Sequence, residues 1–199
     1  MMNFIKLALL PVAVSAFTAA PRRAAPSMIF GSGQKATAKP LKPVTAKEVR
    51  AAQAKWASSI KKISESYLNG GDFKADAGEA AGVLYAYGHS NVLFKPTKAK
   101  DAQFRPMAAD AMSYFIGADN VEVGAIAEDG GFAINGGKGW EDVVFDNHKI
   151  DLNGPTAVAM GNYYFTCATS GEQSKVEYTF GYKRCDDGKV RIFLHHSSV

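Results

Sequence analysis

The chain has 199 residues, of which 47% are hydrophobic and 21% are charged, and its formal net charge is +4. These values are typical of one globular domain and exclude a largely disordered protein. The positive charge is concentrated in residues 1–47, which hold seven Lys or Arg residues and no Asp or Glu. The remainder carries 16 basic and 19 acidic residues, a net charge of −3, so the composition excludes nucleic-acid binding through a basic domain.

Residues 1–47 have the composition of a targeting leader. Lys6 precedes the apolar run Leu7–Val14, and small residues follow, which predicts a signal peptide over residues 1–16. The run is too short to span a bilayer, so no membrane insertion of the mature form is expected. Residues 17–47 contain Ala, Pro, Ser, Arg and Lys without acids, a composition typical of a transit segment. The combination resembles the bipartite presequence of plastids of secondary origin and implies a plastid location, with plain secretion as the alternative.

Helical periodicity dominates the first part of the predicted domain, residues 48–199. Thr45 and Glu48 have the spacing of a capping box, and apolar residues recur every three or four positions after them. A short apolar run closed by proline predicts a strand between the second and third helices. The predicted elements are a helix over Thr45–Tyr67, a helix over Phe73–Tyr87, a strand over Asn91–Thr97 and a helix over Phe104–Ile116.

After Gly117 the pattern changes to short alternating runs separated by Gly and Asn turns. The predicted strands are Val121–Ala127, Gly131–Ile134, Trp140–Ile150, Thr156–Thr169, Lys175–Arg184 and Val190–Ser198. About three helices followed by an antiparallel meander predict an α+β fold, with the helices packed on one face of a curved sheet. The Gly-rich stretch Gly130–Gly139 lacks the helix and Lys-Ser/Thr pair of a phosphate loop and is interpreted as hairpin turns.

The last predicted strand carries a pair of histidines and a pair of serines. Strict alternation divides it into two faces: one with Val190, Ile192, Leu194, His196 and Ser198, the other with Arg191, Phe193, His195 and Ser197. The first face is apolar until it ends in an imidazole and a hydroxyl, the groups that a small reactive pocket needs. Alternatively, these four residues have no functional role and simply occupy the frayed C-terminal end of the strand.

A metal site is not expected. A catalytic zinc needs about three His, Cys or carboxylate ligands. Of the four histidines, His89 and His148 fall in turn-like or exposed stretches, and His195 and His196 cannot both face one site from a regular strand. The two cysteines, Cys167 and Cys185, form neither a disulfide framework nor a Cys-rich zinc motif.

Several segments in combination point to a known family. They are Leu93–Thr97 with Phe104 and Arg105, Ser113–Gly117, Glu128–Ile134, Ala159–Thr166, Val176–Tyr182 and His195–Ser198. With them, the chain from about Val49 to Val199 resembles the iota-class carbonic anhydrases. The domain of that class resembles the association domain of calcium/calmodulin-dependent kinase II, within the nuclear transport factor 2-like group.

The resemblance implies reversible hydration of CO2 to bicarbonate, a cone-shaped fold and a homodimer. It places the active-site hydroxyls on Thr97, Tyr114 and one serine of His195–Ser198. Strand alternation selects Ser198, with His196 as the base that assists water. Phe115 and Leu194 are the apolar side chains expected to line the substrate pocket. We expect a metal-free enzyme, although the resemblance leaves manganese or zinc as an alternative.

Two other functions remain open from the sequence. A non-enzymatic association module of the same fold would assemble a larger complex and would not need the pocket hydroxyls. A polyketide-cyclase-like enzyme of the same fold group would need a deep pocket with an inward-facing acid–base carboxylate pair, and the sequence pattern predicts none.

Overall fold

The computed structural model describes residues 40–199, in which three α-helices pack against a five-stranded sheet whose first strand lies between the second and third helices in the chain. The predicted signal peptide and nearly all of the predicted transit segment lie outside the described residues. The helices are α1 (Ala46–Leu68), α2 (Phe73–Leu84) and α3 (Ala108–Ile116), and the strands are β1 (Leu93–Lys95), β2 (Trp140–Asn153), β3 (Thr156–Cys167), β4 (Gln173–Arg184) and β5 (Val190–Ser198). The α+β class and the helices-on-sheet arrangement predicted from the sequence are confirmed.

Helix α1 begins at the predicted capping box. Thr45 Oγ1 accepts a hydrogen bond from the Glu48 N–H at 3.2 Å, and a Glu48 carboxylate oxygen accepts from the Thr45 N–H at 2.9 Å. Just upstream, the Val44 N–H donates to the Gly154 carbonyl at 2.8 Å, and Arg184 donates to the Lys42 carbonyl at 2.8 Å. The packed part of the chain therefore starts several residues before the predicted boundary at residue 48.

The second and third helices are shorter than predicted. Helix α2 ends at Leu84, because Tyr85 is extended (φ −98°, ψ 153°) and the next residue, Ala86, donates its N–H to the Ile192 carbonyl of β5. Helix α3 begins at Ala108, because the Arg105 N–H donates to the Phe94 carbonyl and so extends the edge of β1. At the end of α2 the bond to β5 replaces the one that would continue the helix, and before α3 the bond to β1 holds Arg105 in an extended segment.

The sheet has the order β1-β5-β4-β3-β2, with β1 parallel to β5 and every other pair antiparallel.

Two of the predicted strands, Val121–Ala127 and Gly131–Ile134, are wrong. The N–H groups of Phe132 and Ala133 donate instead to the carbonyls of Tyr114 and Phe115 at 2.8 Å. These carbonyls belong to the last turn of α3 and have no partner within the helix, so the loop caps the helix rather than joining the sheet.

The core lies between α1 and the concave face of the sheet and is rich in aromatic rings. Trp56 of α1 is fully buried at its centre and stacks on Tyr163 of β3, with ring centroids 5.8 Å apart and planes 2° from parallel. Phe165 and Phe180 contact the same indole edge-on. No helix within residues 40–199 has the length and hydropathy needed to cross a membrane.

Candidate active site

A β-bulge in β5 decides which of its side chains face the core. In the pairing with β4, Gly181 lies opposite Leu194 and Tyr182 lies opposite Ile192, which leaves Phe193 as an extra residue. The extra residue shifts the alternation by one position. The prediction that the last strand presents one regular face is therefore wrong.

Beyond the bulge, His195 and Ser197 point into the core and are only 3% and 2% exposed. His196 is exposed, and Ser198 is half-buried on the outer face with its hydroxyl 3.4 Å from a Glu177 carboxylate oxygen. The predicted inward placement of His196 and Ser198 is therefore wrong, and their neighbours occupy the interior. Leu194 also lies on the outer face, so the prediction that it lines the interior pocket is wrong for the same reason.

Gly181 is the residue that allows this bulge. A Cβ atom added there would lie 2.8 Å from the Leu194 Cβ and 2.8 Å from the Phe193 ring. We therefore expect Gly181→Ala to destabilise the fold by about 1–3 kcal/mol, since the bulge has to shift to make room. Urea unfolding would measure this. As a control, Gly78→Ala in the exposed part of α2, where no atom lies within 4 Å of the new Cβ, should stabilise by about 0.5–1 kcal/mol. An unchanged midpoint for Gly181→Ala would contradict the tight bulge.

A continuous chain of hydrogen bonds runs from α1 to the end of β5. The Trp56 Nε1–H donates to the Tyr85 hydroxyl at 3.0 Å, and that hydroxyl lies 2.8 Å from His195 Nδ1. His195 Nε2 lies 2.9 Å from Ser197 Oγ, which in turn lies 2.5 Å from the Tyr163 hydroxyl. All five side chains are buried.

The His195 imidazole is surrounded by aromatic rings. Phe94 stacks on it with ring centroids 4.5 Å apart, Phe180 packs at 4.0 Å, and Trp56 meets it edge-on. Burial lowers the pKa of His195 well below its usual value, and the adjacent His196 lowers it further. The imidazole is therefore neutral at physiological pH.

The predicted hydroxyls of Thr97 and Tyr114 lie beside this chain. Burial raises the pKa of Tyr114 and of Tyr163, and the nearby Thr97 hydroxyl offsets part of the rise in each. Both phenols therefore stay protonated. The Tyr114 oxygen is buried and, among residues 40–199, makes no hydrogen bond of standard geometry, although the Lys98 backbone and the Thr97 hydroxyl lie close enough to lower its pKa. The structure thus brings Thr97, Tyr114, Tyr163 and Ser197 together.

Two members of this hydroxyl cluster, which is defined as Thr97, Tyr114, Tyr163 and Ser197, line neighbouring cavities. Tyr114 lines a cavity of about 390 Å³, and Thr97 lines one of about 310 Å³. Lys98, Phe132 and Trp140 form walls of both cavities.

The predicted pocket residue Phe115 lines neither of these two cavities. It is buried and stacks on Phe94, with ring centroids 5.7 Å apart, behind the His195 ring. Its expected contact with substrate stays a prediction.

The sequence did not reveal Trp56, Tyr85 and Tyr163 as members of the site. Each has the pattern of an ordinary core aromatic residue, and only the pairing of the strands shows its place in the site.

The acidic side chains at the larger cavity already have hydrogen-bond or ion-pair partners. Glu128 accepts hydrogen bonds from the backbone N–H groups of Lys100, Asp101 and Ala102, and these bonds lower the pKa of its carboxyl. Asp129 pairs with the fully buried Arg105 at 2.7 Å. Within residues 40–199, no group of three or more His, Cys, Asp or Glu side chains is placed to hold a metal ion.

The chain is similar to one family model and to several known proteins. The family model described as metal-independent carbonic anhydrase matches residues 47–199. The metal-independent carbonic anhydrase of Nostoc sp. is 38% identical over 159 residues, which cover 78% of this chain and 74% of that protein. The crystal structure of the iota-carbonic anhydrase from a cyanobacterium, complexed with bicarbonate, is similar with a TM-score of 0.72 and 36% identity, covering 82% of this chain and 96% of that one. A nuclear transport factor 2-like family protein from Streptomyces avermitilis is similar at a TM-score of 0.48 and 12% identity, over 76% of this chain and 93% of its own.

Proposed function

The chain belongs to the metal-independent carbonic anhydrase family, and on that premise we propose that its hydroxyl cluster catalyses the reversible hydration of CO2 to bicarbonate. The family is metal-independent, so the expectation of no metal cofactor is confirmed, and the manganese and zinc alternatives are not needed. The observation that carries the proposal is the convergence of Thr97, Tyr114 and Ser197 on one site, where Thr97 lies beside both Tyr114 and Tyr163, and Tyr163 contacts Ser197.

The surroundings of the hydroxyl cluster suit a small apolar substrate. Phe132, Phe165 and Val176 line the cavity next to Thr97 and offer CO2 an apolar wall. Lys98 and Lys175 lie at the same cavity and favour the bicarbonate anion that forms. The solved relative that carries bicarbonate has 36% identity to this chain, which supports the same ligand here.

In the proposed reaction the oxygen of a bound water attacks the carbon of CO2. One C=O π bond opens, negative charge develops on the CO2 oxygens, and the proton lost by water passes to solvent at the cavity mouth. Thr97, Tyr114 and Ser197 donate hydrogen bonds to the developing charge. Preorganised donors of this kind typically accelerate a reaction about 10²–10³-fold each.

Assistance by His196, as expected from the sequence, does not fit the geometry. Its side chain is exposed on the outer face of the sheet, away from the hydroxyl cluster. The histidine in contact with a cluster hydroxyl is His195, through Ser197.

The test is stopped-flow measurement of CO2 hydration by the purified protein after exhaustive chelation. We expect activity to persist, because the proposed groups are all side chains of the chain itself. Loss of activity that Mn²⁺ or Zn²⁺ restores would contradict the metal-free mechanism. A folded protein without activity under either condition would favour the non-enzymatic association module.

We also propose a homodimer formed through the outer face of the sheet. Val144, Val158 and Met160 are apolar and exposed on this face, and Tyr164 lies directly across from Val144. A face of this kind is typical of a protein–protein contact. The alternative association module would use the same type of surface, so assembly does not by itself distinguish the two functions.

Met160 is the most exposed of these three aliphatic residues, at 54%. We expect Met160→Asp to convert the dimer to a monomer, because the new carboxylate would lose its hydration in the interface. Sedimentation velocity would measure the mass. Val123→Asp, at an exposed position in the 121–127 loop, should leave the dimer intact. A wild-type chain that sediments as a monomer would contradict the proposal.

For localisation, we propose import into a plastid directed by residues 1–47. Support comes from the acid-free composition and from the apolar run near the start. Imaging a fluorescent fusion in cells with secondary plastids tests this, and secretion into the medium would contradict it.

A further inference from the structure

Building on the proposed function, we infer that Trp56 and Tyr85 are positioning residues that hold His195 in the tautomer whose Nε2–H donates to Ser197. His195 is then a hydrogen-bond donor that orients a substrate-binding hydroxyl. It is not the base that removes a proton from water. The inference follows from the direction in which each hydrogen bond of the buried chain can run.

The direction is fixed at the Trp56 end. An indole N–H can only donate, so the Tyr85 oxygen accepts from Trp56 Nε1. Burial raises the pKa of Tyr85 well above its usual value, so the phenol keeps its proton. The other atom within hydrogen-bond distance of that oxygen, among residues 40–199, is His195 Nδ1 at 2.8 Å. Tyr85 therefore donates its proton to Nδ1.

The state of the imidazole follows from this contact. Nδ1 accepts from Tyr85 and so carries no proton. The ring is neutral, because it lies buried among Phe94, Phe180 and Trp56, and burial lowers its pKa well below the usual value. A neutral imidazole has one N–H, which must then be on Nε2. Nε2 lies 2.9 Å from Ser197 Oγ and donates to it.

The opposite direction leaves a buried proton without an acceptor. If Nδ1 carried the proton, Trp56 and His195 would both donate to the Tyr85 oxygen. The Tyr85 proton would then have no acceptor among residues 40–199, since the phenol otherwise packs against the Phe94 and Phe115 rings. A buried hydroxyl proton in this position is disfavoured, whereas in the inferred direction the donors of Trp56, Tyr85 and His195 each have an acceptor.

The consequence concerns the Ser197 hydroxyl. Its oxygen has two lone pairs, and His195 Nε2–H donates to one of them. Either hydroxyl of the Tyr163–Ser197 pair can be the donor, and when Tyr163 donates to the second lone pair, the Ser197 proton is available for an oxygen of CO2 or bicarbonate. His195 has no lone pair free for the water proton, since Nδ1 is occupied by Tyr85.

Two substitutions distinguish a donor from a base. His195→Gln retains an N–H donor near the position of Nε2 but has no titratable group, and His195→Leu retains neither. For a donor role we expect the Gln variant to hydrate CO2 within about tenfold of wild type and the Leu variant to lose about 100-fold. Circular dichroism checks that both are folded. If both variants are folded and both lose about 100-fold in CO2 hydration activity, the inference is overturned.

Nitrogen-15 NMR of the histidine-labelled full chain provides a readout independent of activity. Of the four histidine signals, the one absent from His195→Gln belongs to His195. We expect it to show a bare Nδ1 and a protonated Nε2 near neutral pH. In Tyr85→Phe the signal should move toward a mixture of tautomers, whereas Tyr87→Phe, which removes a hydroxyl bonded to the Arg105 carbonyl, should leave it unchanged.

A protonated Nδ1, or a charged ring near neutral pH, would overturn the inference even if the enzyme is active. Conversely, a wild-type protein that shows the expected tautomer but does not hydrate CO2 would overturn only the proposed function. The two failures are therefore distinguishable.

Discussion

Replacing Ser197 by Ala is expected to lower kcat/KM for CO2 hydration about 10²–10³-fold. Ser197 is the buried serine of β5 and the member of the hydroxyl cluster that contacts both His195 and Tyr163. Its removal takes away a donor to the developing charge and leaves two buried polar groups without their partner. Stopped-flow measurement of both reaction directions would give the loss.

The adjacent serine supplies a matched control. Ser198 has the same side chain, but it faces outward, with Glu177 3.4 Å from its hydroxyl. Ser198→Ala should therefore retain nearly full activity. The reverse result, an inactive Ser198→Ala and an active Ser197→Ala, would mean that the bulge at Phe193 is not present in the working enzyme.

A large loss of stability is expected for Asp129→Asn. Asp129 is the ion-pair partner of Arg105 at 2.7 Å, and the Arg105 side chain is 0% exposed. Glu128 is 3.8 Å from the same guanidinium nitrogen and is already bound by three backbone N–H groups. Removing the Asp129 charge leaves a buried cation without its close counter-charge, which typically costs about 3–5 kcal/mol. Urea unfolding at neutral pH measures the change.

Asp142→Asn is the control for this substitution. Asp142 pairs with Lys61 at a similar distance, 2.9 Å, but the two side chains are 48% and 44% exposed. Loss of an exposed pair of this type should cost less than about 1 kcal/mol. Equal effects of the two substitutions would show that the Arg105 pair is hydrated in solution.

The elements that were predictable from the sequence depend on neighbours in the chain. The capping box that starts α1 lies within four residues, and the periodicity of its buried face is local too. The four long strands were also found, with bounds that shifted by a few residues. Thr97 and Tyr114 were assigned through their family motifs, and the structure places both beside the buried chain of hydrogen bonds.

Neighbours in the chain do not decide which pair faces the core, His195 with Ser197 or His196 with Ser198. Alternation counts residues along one strand, whereas the bulge at Phe193 depends on Gly181 in the strand next to it. One additional residue exchanges the faces for the rest of the strand. The two strands predicted wrongly after α3 fail for a similar reason, because their N–H groups bond to groups outside the sheet: Phe132 and Ala133 donate to the last carbonyls of α3, and Ile126 donates to the Ser113 hydroxyl.

The position of β5 between β1 and β4 also affects how the protein folds. Tyr85 and His195 are 110 residues apart in the chain, and β1 pairs with β5 in parallel, a long-range pairing that forms slowly. The residues around the site therefore meet only when the sheet closes around its last strand. Recovery of activity during refolding should therefore coincide with the slowest phase and report completion of the native topology.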